Sequence, residues 1–215
     1  VTATDYAIGL HASSLVRDGG TLQIGIGSLG DAIAHSLIIR NEHNSRYREL
    51  LRALNGNNFP ERICADIFSE GLYGCSEMLV NGLLELIQAG IIKREVFDAA
   101  TQKKTILHGG FFIGPPAFYQ ALRDMPADKL EKIDMSSITF INHLYGDAFA
   151  DEATKRAQRT KASFIKTCMM VTLSGAAVSD ALDDGRVVSG VGGQYNFVAM
   201  AHELPDAHSV LMLRS

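Results

Sequence analysis

Two glycine-rich segments and a carboxylate placed between them are the residues best suited to chemistry in this chain. The first segment, Thr21-Leu22-Gln23-Ile24-Gly25-Ile26-Gly27-Ser28-Leu29-Gly30, is an apolar run that breaks into glycines just before a helical pattern. The second, Gly190-Val191-Gly192-Gly193-Gln194, lies far along the chain. Between them, Ser76-Glu77-Met78 puts a carboxylate at the predicted entrance of a strongly apolar helix. Dense glycines let a backbone come close to a ligand, and amides freed at a helix start bind anionic or carbonyl oxygen. Two amide-rich loops and one placed carboxylate point to acyl chemistry on a phosphate-bearing carrier.

Each feature also has a plainer reading. Gly25-x-Gly27-x-x-Gly30 fits the dinucleotide fingerprint, which further requires an acidic residue ending the second strand about 20 residues on. That region, Arg46 to Leu54, is helical in pattern, and Asp66 in the next predicted strand lies too far downstream. A Rossmann-type dinucleotide binder is therefore an alternative, as is a non-catalytic module that binds the phosphate-bearing carrier. Glu77 can be read as a cap whose charge complements the helix dipole. The same position would give a nucleophilic carboxylate a defined rotamer.

The elements that must hold these residues alternate strand and helix, which predicts an α/β fold with a mainly parallel sheet flanked by helices. Strands are expected at about 22–26, 62–68, 105–112, 137–141, 164–172 and 209–214, sharing one sheet. Helices are expected over 31–39, within the polar stretch 40–61, over 78–90 with Ala89-Gly90 as its stop, from Pro115-Pro116 onward, over 151–161, and over 196–202. His108-Gly109-Gly110 and Asn142-His143 close predicted strands and could line the pocket, although a histidine so placed is more often a structural partner. Met169-Met170 and Phe111-Phe112 are expected in the core. Lys155, Arg156, Arg159 and Lys161 are expected on a solvated face, where one could meet a phosphate. His35, His43, His202 and His208 lack metal-ligand spacing, so no metal is expected.

At 215 residues the chain is long enough for one large α/β domain over 1–215. Apolar residues make 47% and charged residues 20%, and the net charge of −4 gives no reason to expect nucleic acid or an anionic membrane as partner. Cys64, Cys75 and Cys168 form no Cys-x-x-Cys pair, which favours a reducing, cytoplasmic setting. No apolar run approaches the roughly 18 residues of a membrane span, and the first residues lack the basic start of a signal peptide. A first residue of valine and a last strand at 209–214 suggest a piece of a longer protein.

Ser76-Glu77-Met78-Leu79-Val80-Asn81-Gly82-Leu83-Leu84-Glu85-Leu86, with Ala89-Gly90-Ile91-Ile92, resembles the active-site segment of the acetyl-CoA hydrolase/transferase family, which includes CoA-transferases of the acetate and 4-hydroxybutyrate type. Three more segments resemble that family in its own order. They are Asp18 to Gly27, then Phe111-Phe112-Ile113-Gly114 with Phe118-Tyr119, and finally Ser189-Gly190-Val191-Gly192-Gly193-Gln194 with Phe197. The resemblance implies the C-terminal domain of such an enzyme, working with an N-terminal CoA-transferase domain of the same protein and as a homo-oligomer. It implies that Glu77 is acylated by a small acyl-CoA and then carries coenzyme A as a glutamyl thioester, with a small carboxylate as the other substrate. Gly25, Ile26, Gly27, Ser28 and Leu29 match the loop that contacts CoA and helps form the oxyanion hole. Ser189 and Gly193 fall on CoA-contacting positions, and Gly190 and Gly192 shape that loop. The stretch between the first glycine loop and Glu77 is longer than the family pattern. It offers Asp66-Ile67-Phe68-Ser69-Glu70-Gly71 as a rival motif, but only Glu77 runs ungapped into the following helix. Asn196 stands where the family has aspartate, and Ser189 where it has asparagine.

Overall fold

The computed structural model describes residues 1–56, 62–98, 101–145, 152–190 and 192–214. In chain order its first elements are α1 (Ala3–Ser13), β1 (Thr21–Ile24), α2 (Ser28–Glu42), α3 (Asn44–Asn55), β2 (Tyr73–Leu79), α4 (Asn81–Gln88), β3 (Val96–Asp98), β4 (Lys103–Thr105) and β5 (Leu107–Phe112). There follow α5 (Pro116–Arg123), α6 (Ala127–Leu130), β6 (Ile133–Met135), α7 (Ile138–Asn142) and α8 (Glu152–Gln158). The last are β7 (Ser163–Thr167), β8 (Met170–Val171), β9 (Ala177–Val178), α9 (Gln194–Glu203) and β10 (His208–Met212).

Six strands form one sheet in the order β10-β7-β1-β2-β5-β6, and every pairing in it is parallel. The chain steps outward from β1 through β2, β5 and β6, then returns to lay β7 on the other side of β1. Strand order therefore reverses between β1 and β7. In open α/β sheets the crevice beyond the carboxyl ends of strands at such a reversal is where ligands bind. Leu22, Ile24, Leu107 and Ile165 point to one face and join a core with Ile33 and Leu37 of α2 and Leu83 and Leu86 of α4. Tyr73, Cys75 and Phe164 point to the other and pack against Phe140 and Ile141 of α7 and Phe197 and Met200 of α9. A strand covered on both faces is buried along its length, as β1 is.

Several expected elements form as read. Gly90, with φ of 66°, ends the helix before it, and Pro116 opens α5. Two expected strands do not form. Residues 62–68 run as an irregular segment because side chains and a loop carbonyl take up their backbone groups. Arg40 Nε donates to the Asp66 carbonyl at 2.7 Å, Asn44 Nδ2 to the Ala65 carbonyl at 2.7 Å, and Asn41 Oδ1 accepts from the Phe68 amide. The Cys64 amide donates to the Ser14 carbonyl at 2.6 Å. The sheet position next to β1 goes instead to Tyr73–Leu79. Residues 138–142 form α7, capped by Ser137, whose hydroxyl accepts from the Phe140 amide, and the edge strand is Ile133–Met135. Residues 57–61, the end of the polar stretch 40–61, lie outside the described residues, as do Asp151 and Val191.

Expected environments also shift. Lys155 and Arg159 are fully buried, not on a solvated face: Arg159 Nη2 donates to the Phe140 carbonyl and Lys155 Nζ to the His143 carbonyl. Met169, Phe111 and Phe112 are exposed rather than core, because they stand at strand ends beyond the covering helices.

Candidate active site

Glu77 is not at a helix entrance. It lies near the carboxyl end of β2, and α4 begins four residues later at Asn81. Tyr73, Cys75 and Glu77 alternate onto one face of this strand, and the Ser76 hydroxyl donates to the Met78 carbonyl at 2.8 Å rather than capping a helix.

The register sets what surrounds the carboxylate. Ser76 pairs with Gly109 and Met78 with Phe111, so Glu77 is level with Gly110 on β5. Thr21 pairs with Tyr73, so Gly25, just past β1, is level with Glu77 on the other side. Ile24 pairs with Ile165, which brings Lys166 of β7 into the same row. Gly110, Glu77, Gly25 and Lys166 thus run across four neighbouring strands, with a glycine on each side of the carboxylate. A Cβ at Gly110 would strike the Glu77 carbonyl oxygen and Ile138.

The second glycine loop closes on this row from the opposite layer. The Gly193 amide donates to Glu77 Oε2 at 3.0 Å, joining residues 116 apart in sequence. Gly193 is the N-cap of α9, so the carboxylate meets the positive end of a helix dipole. Gly193 has φ of −74°, which any residue adopts; a Cβ there would overlap Glu77 Oε2 and the Asn142 side-chain amide and force those side-chain ends to move.

Gly25 extends the sheet, its amide donating to the Ile165 carbonyl at 3.1 Å. The exposed Ile26 and Gly27 follow. Gly27 has φ of 100° and is the N-cap of α2, which turns the chain so that Ser28 and Leu29 start the helix beside β2. A Cβ at Gly30 would collide with the Gly25 carbonyl. Ser189, Gly190 and Gly192 are exposed on the second loop, where the Ser189 amide donates to the Asp180 carbonyl. Of that loop, the described residue against the carboxylate is Gly193. Asp66, the rival, is an exposed surface residue ion-paired to Arg48 at 2.5 Å.

Sequence reading missed Lys166 and left Asn142 only as a pocket-lining candidate. Lys166 is buried beside the carboxylate, with Nζ 4.3 Å from the centre of the Phe197 ring. Burial pulls its pKa down to about 8, against an opposing pull from the charge of Glu77. Asn142 Oδ1 and Gln23 Oε1 are buried on this side of the sheet without hydrogen-bond partners among the described residues. The larger described cavity, about 500 Å3 between α1 and β10, holds none of these residues. The amide-to-carboxylate contact, not cavity size, marks the site.

Residues 114–215 match the acetyl-CoA hydrolase/transferase C-terminal domain. The matched residues take in the second glycine loop, while Glu77 and the first loop lie outside them. The 4-hydroxybutyrate coenzyme A transferase of Clostridium kluyveri is 26% identical over 216 residues, covering 98% of this chain and 38% of that protein. The succinyl-CoA:acetate/propanoyl-CoA:succinate CoA transferase of Fasciola hepatica is 25% identical over 187 residues, covering 87% of this chain and 29% of that protein. The chain thus spans less than two-fifths of the length of the curated relatives it matches. Among solved structures, RipA of Yersinia pestis covers all of this chain and 37% of its own, at 21% identity and a TM-score of 0.63. The 4-hydroxybutyrate CoA-transferase of Porphyromonas gingivalis covers 96% of this chain and 38% of its own, at 20% identity and a TM-score of 0.57. These structures share the fold: a six-stranded parallel sheet flanked by helices, of the CoA-transferase kind. Among the described residues, no helix is long and apolar enough to cross a membrane.

Proposed function

We propose that this chain is the C-terminal domain of a CoA-transferase or acyl-CoA hydrolase that works through Glu77. The observation that carries the reading is the Glu77 carboxylate accepting the Gly193 amide, which joins the carboxylate motif to the second glycine loop. In the first step Glu77 attacks the carbonyl carbon of a small acyl-CoA. The tetrahedral oxyanion collapses with loss of the CoA thiolate, leaving an acyl-glutamyl anhydride. The thiolate then attacks the Glu77 carbonyl carbon, releasing the first carboxylate and forming the glutamyl-CoA thioester. A second carboxylate reverses the sequence and leaves as acyl-CoA, whereas water in its place gives hydrolysis.

The chain's own part is to supply amides where negative charge develops. One aimed donor to such an oxyanion is worth about 3–4 kcal/mol. Gly25 to Leu29, at the helix start beside β2, and Ser189, Gly190, Gly192 and Gly193 are the amides assigned to CoA and the oxyanion. Coenzyme A is substrate and carrier, with no metal in this chemistry. An N-terminal domain of the same protein, self-association and a cytoplasmic setting complete the reading.

The test is chemical. Acyl-CoA added to the complete enzyme should give a glutamyl thioester that borohydride reduces and mass spectrometry places on Glu77. Glu77→Gln should abolish adduct and turnover while leaving CoA binding largely intact, and Asp66→Asn should change little. An adduct on Asp66, or full activity in Glu77→Gln, would overturn the assignment.

A further inference from the structure

Two residues before Gly110 on β5, His108 is completely buried between two carboxylates from different elements. Asp98 closes β3 of the antiparallel hairpin, and Asp134 lies on the edge strand β6, paired with His108 in the register. His108 Nε2 stands 3.5 Å from Asp98 Oδ2 and 3.8 Å from Asp134 Oδ2. It has no hydrogen-bond partner among the described residues, and the three ligand atoms lie within 4.8 Å of one another. Those separations are long for hydrogen bonds. They are close to the roughly 3.4 Å that separates two ligands of a tetrahedral ion bound at about 2.0–2.1 Å.

From this arrangement we infer that Asp98, His108 and Asp134 form a site for a divalent transition ion of the zinc class. One imidazole nitrogen and two carboxylate oxygens are a donor set that suits zinc or its neighbours, and water can take the remaining position. Each ligand has an outer partner of the kind that fixes metal ligands. Tyr73 Oη lies 2.6 Å from His108 Nδ1, so metal on Nε2 leaves the proton on Nδ1 to donate to the phenol oxygen. The Thr101 hydroxyl donates to Asp98 Oδ2 at 2.7 Å, and the Ser136 hydroxyl donates to Asp134 Oδ2. Arg159 is near enough to oppose a cation, and the two carboxylates outnumber it. The Asp134 side chain is 24% exposed, which leaves a way in. None of the three residues belongs to the Glu77 row. The ion would clamp the β3–β4 hairpin to β5 and β6.

The test uses the whole chain, stripped with chelator and dialysed against micromolar zinc, with metal counted by mass spectrometry. One zinc per chain and a thermal midpoint several degrees above the stripped protein are expected. Cobalt in place of zinc should give visible absorption of a low-coordinate centre. Asp98→Asn and Asp134→Asn should weaken binding at least tenfold. Asp134→Asn, at a partly exposed edge, should keep the stripped fold's circular dichroism and so separate loss of metal from loss of structure. Less than a tenth of a zinc per chain in the unmodified protein, or unchanged binding in both variants, would overturn the site.

Discussion

Lys166 and Glu77 stand in one row across the sheet with only Gly25 between them, so no side chain intervenes. The lysine is buried, and burial brings its pKa down to about 8. In the unfolded chain it titrates near its ordinary value of about 10.4. Between those values the unfolded state holds more protons, so the contribution of Lys166 makes stability rise with pH across that window. Below about pH 8 both states are protonated and the full burial cost remains, about 3 kcal/mol. Lys166→Met should therefore stabilise the fold at neutral pH by up to that amount and remove the rise. Urea unfolding of both proteins at pH of about 7.5 and about 10 checks it. Parallel pH dependence in the two would contradict the burial of a charged Lys166.

Gly193→Ala tests whether the Glu77 contact depends on the absent side chain. The backbone there suits any residue, so the methyl acts through its overlap with Glu77 Oε2 and the Asn142 amide. The expected outcome is a fall of about tenfold or more in adduct formation at Glu77, with a stability loss of only about 1–2 kcal/mol. Trapping yields and urea midpoints measured together decide it, and unchanged trapping would show that the amide is dispensable.

Much of this site is legible in sequence because it rests on local signals. A strand breaking into glycines before a helix gives β1, the loop and α2. A proline at the first turn gives α5, and a glycine with positive φ gives the stop after α4. What misled was competition for backbone hydrogen bonds. The apolar residues Ile63, Ala65, Ile67 and Phe68 read as a strand, yet Arg40, Asn41 and Asn44 satisfy that segment from the end of α2 and start of α3. The sequence Ile138-Thr139-Phe140-Ile141 has β propensity, yet the Ser137 cap and a buried face make it helical. Glu77 reads as a helix cap because glycine, serine and glutamate mask the strand alternation begun by Tyr73 and Cys75. Lys166 beside Glu77, and Asp98 with Asp134 beside His108, depend on strand neighbours that no local pattern reveals.

The first glycine loop offers a paired comparison. Gly27→Ala meets nothing within 4 Å but puts a side chain at φ of 100°, a strain of about 1–3 kcal/mol. Gly30→Ala has helical backbone but drives its methyl into the Gly25 carbonyl, which must displace the loop. Gly30→Ala should be the more destabilising of the two and should disturb the β1–α2 junction. Thermal midpoints and amide exchange at residues 25–31 discriminate, and a reversed order would mean that the loop relaxes freely.

Asp18 supplies the last test, through acid unfolding. Its carboxylate accepts the amides of Ser69 at 2.9 Å, Glu70 at 3.0 Å and Gly71 at 2.8 Å, tying the turn before β1 to the turn before β2. Burial pushes its pKa up, but the amides of Glu70, Gly71 and Ser69 outweigh that and hold it below the usual aspartate value. A depressed folded value means the stabilisation is fully present above the unfolded pKa of about 3.9 and is lost as pH falls through the lower folded value. Asp18→Asn keeps one acceptor oxygen but turns an NH2 toward amide donors, so it should lose about 1–3 kcal/mol at neutral pH. The deficit should shrink as pH falls past the unfolded value and through the lower folded one, where the carboxylate of the unmodified protein itself takes up a proton. Urea unfolding of both proteins from neutral pH down through that window reads it directly. A deficit that stays constant as pH falls would show that the loss comes from shape rather than from the charged carboxylate.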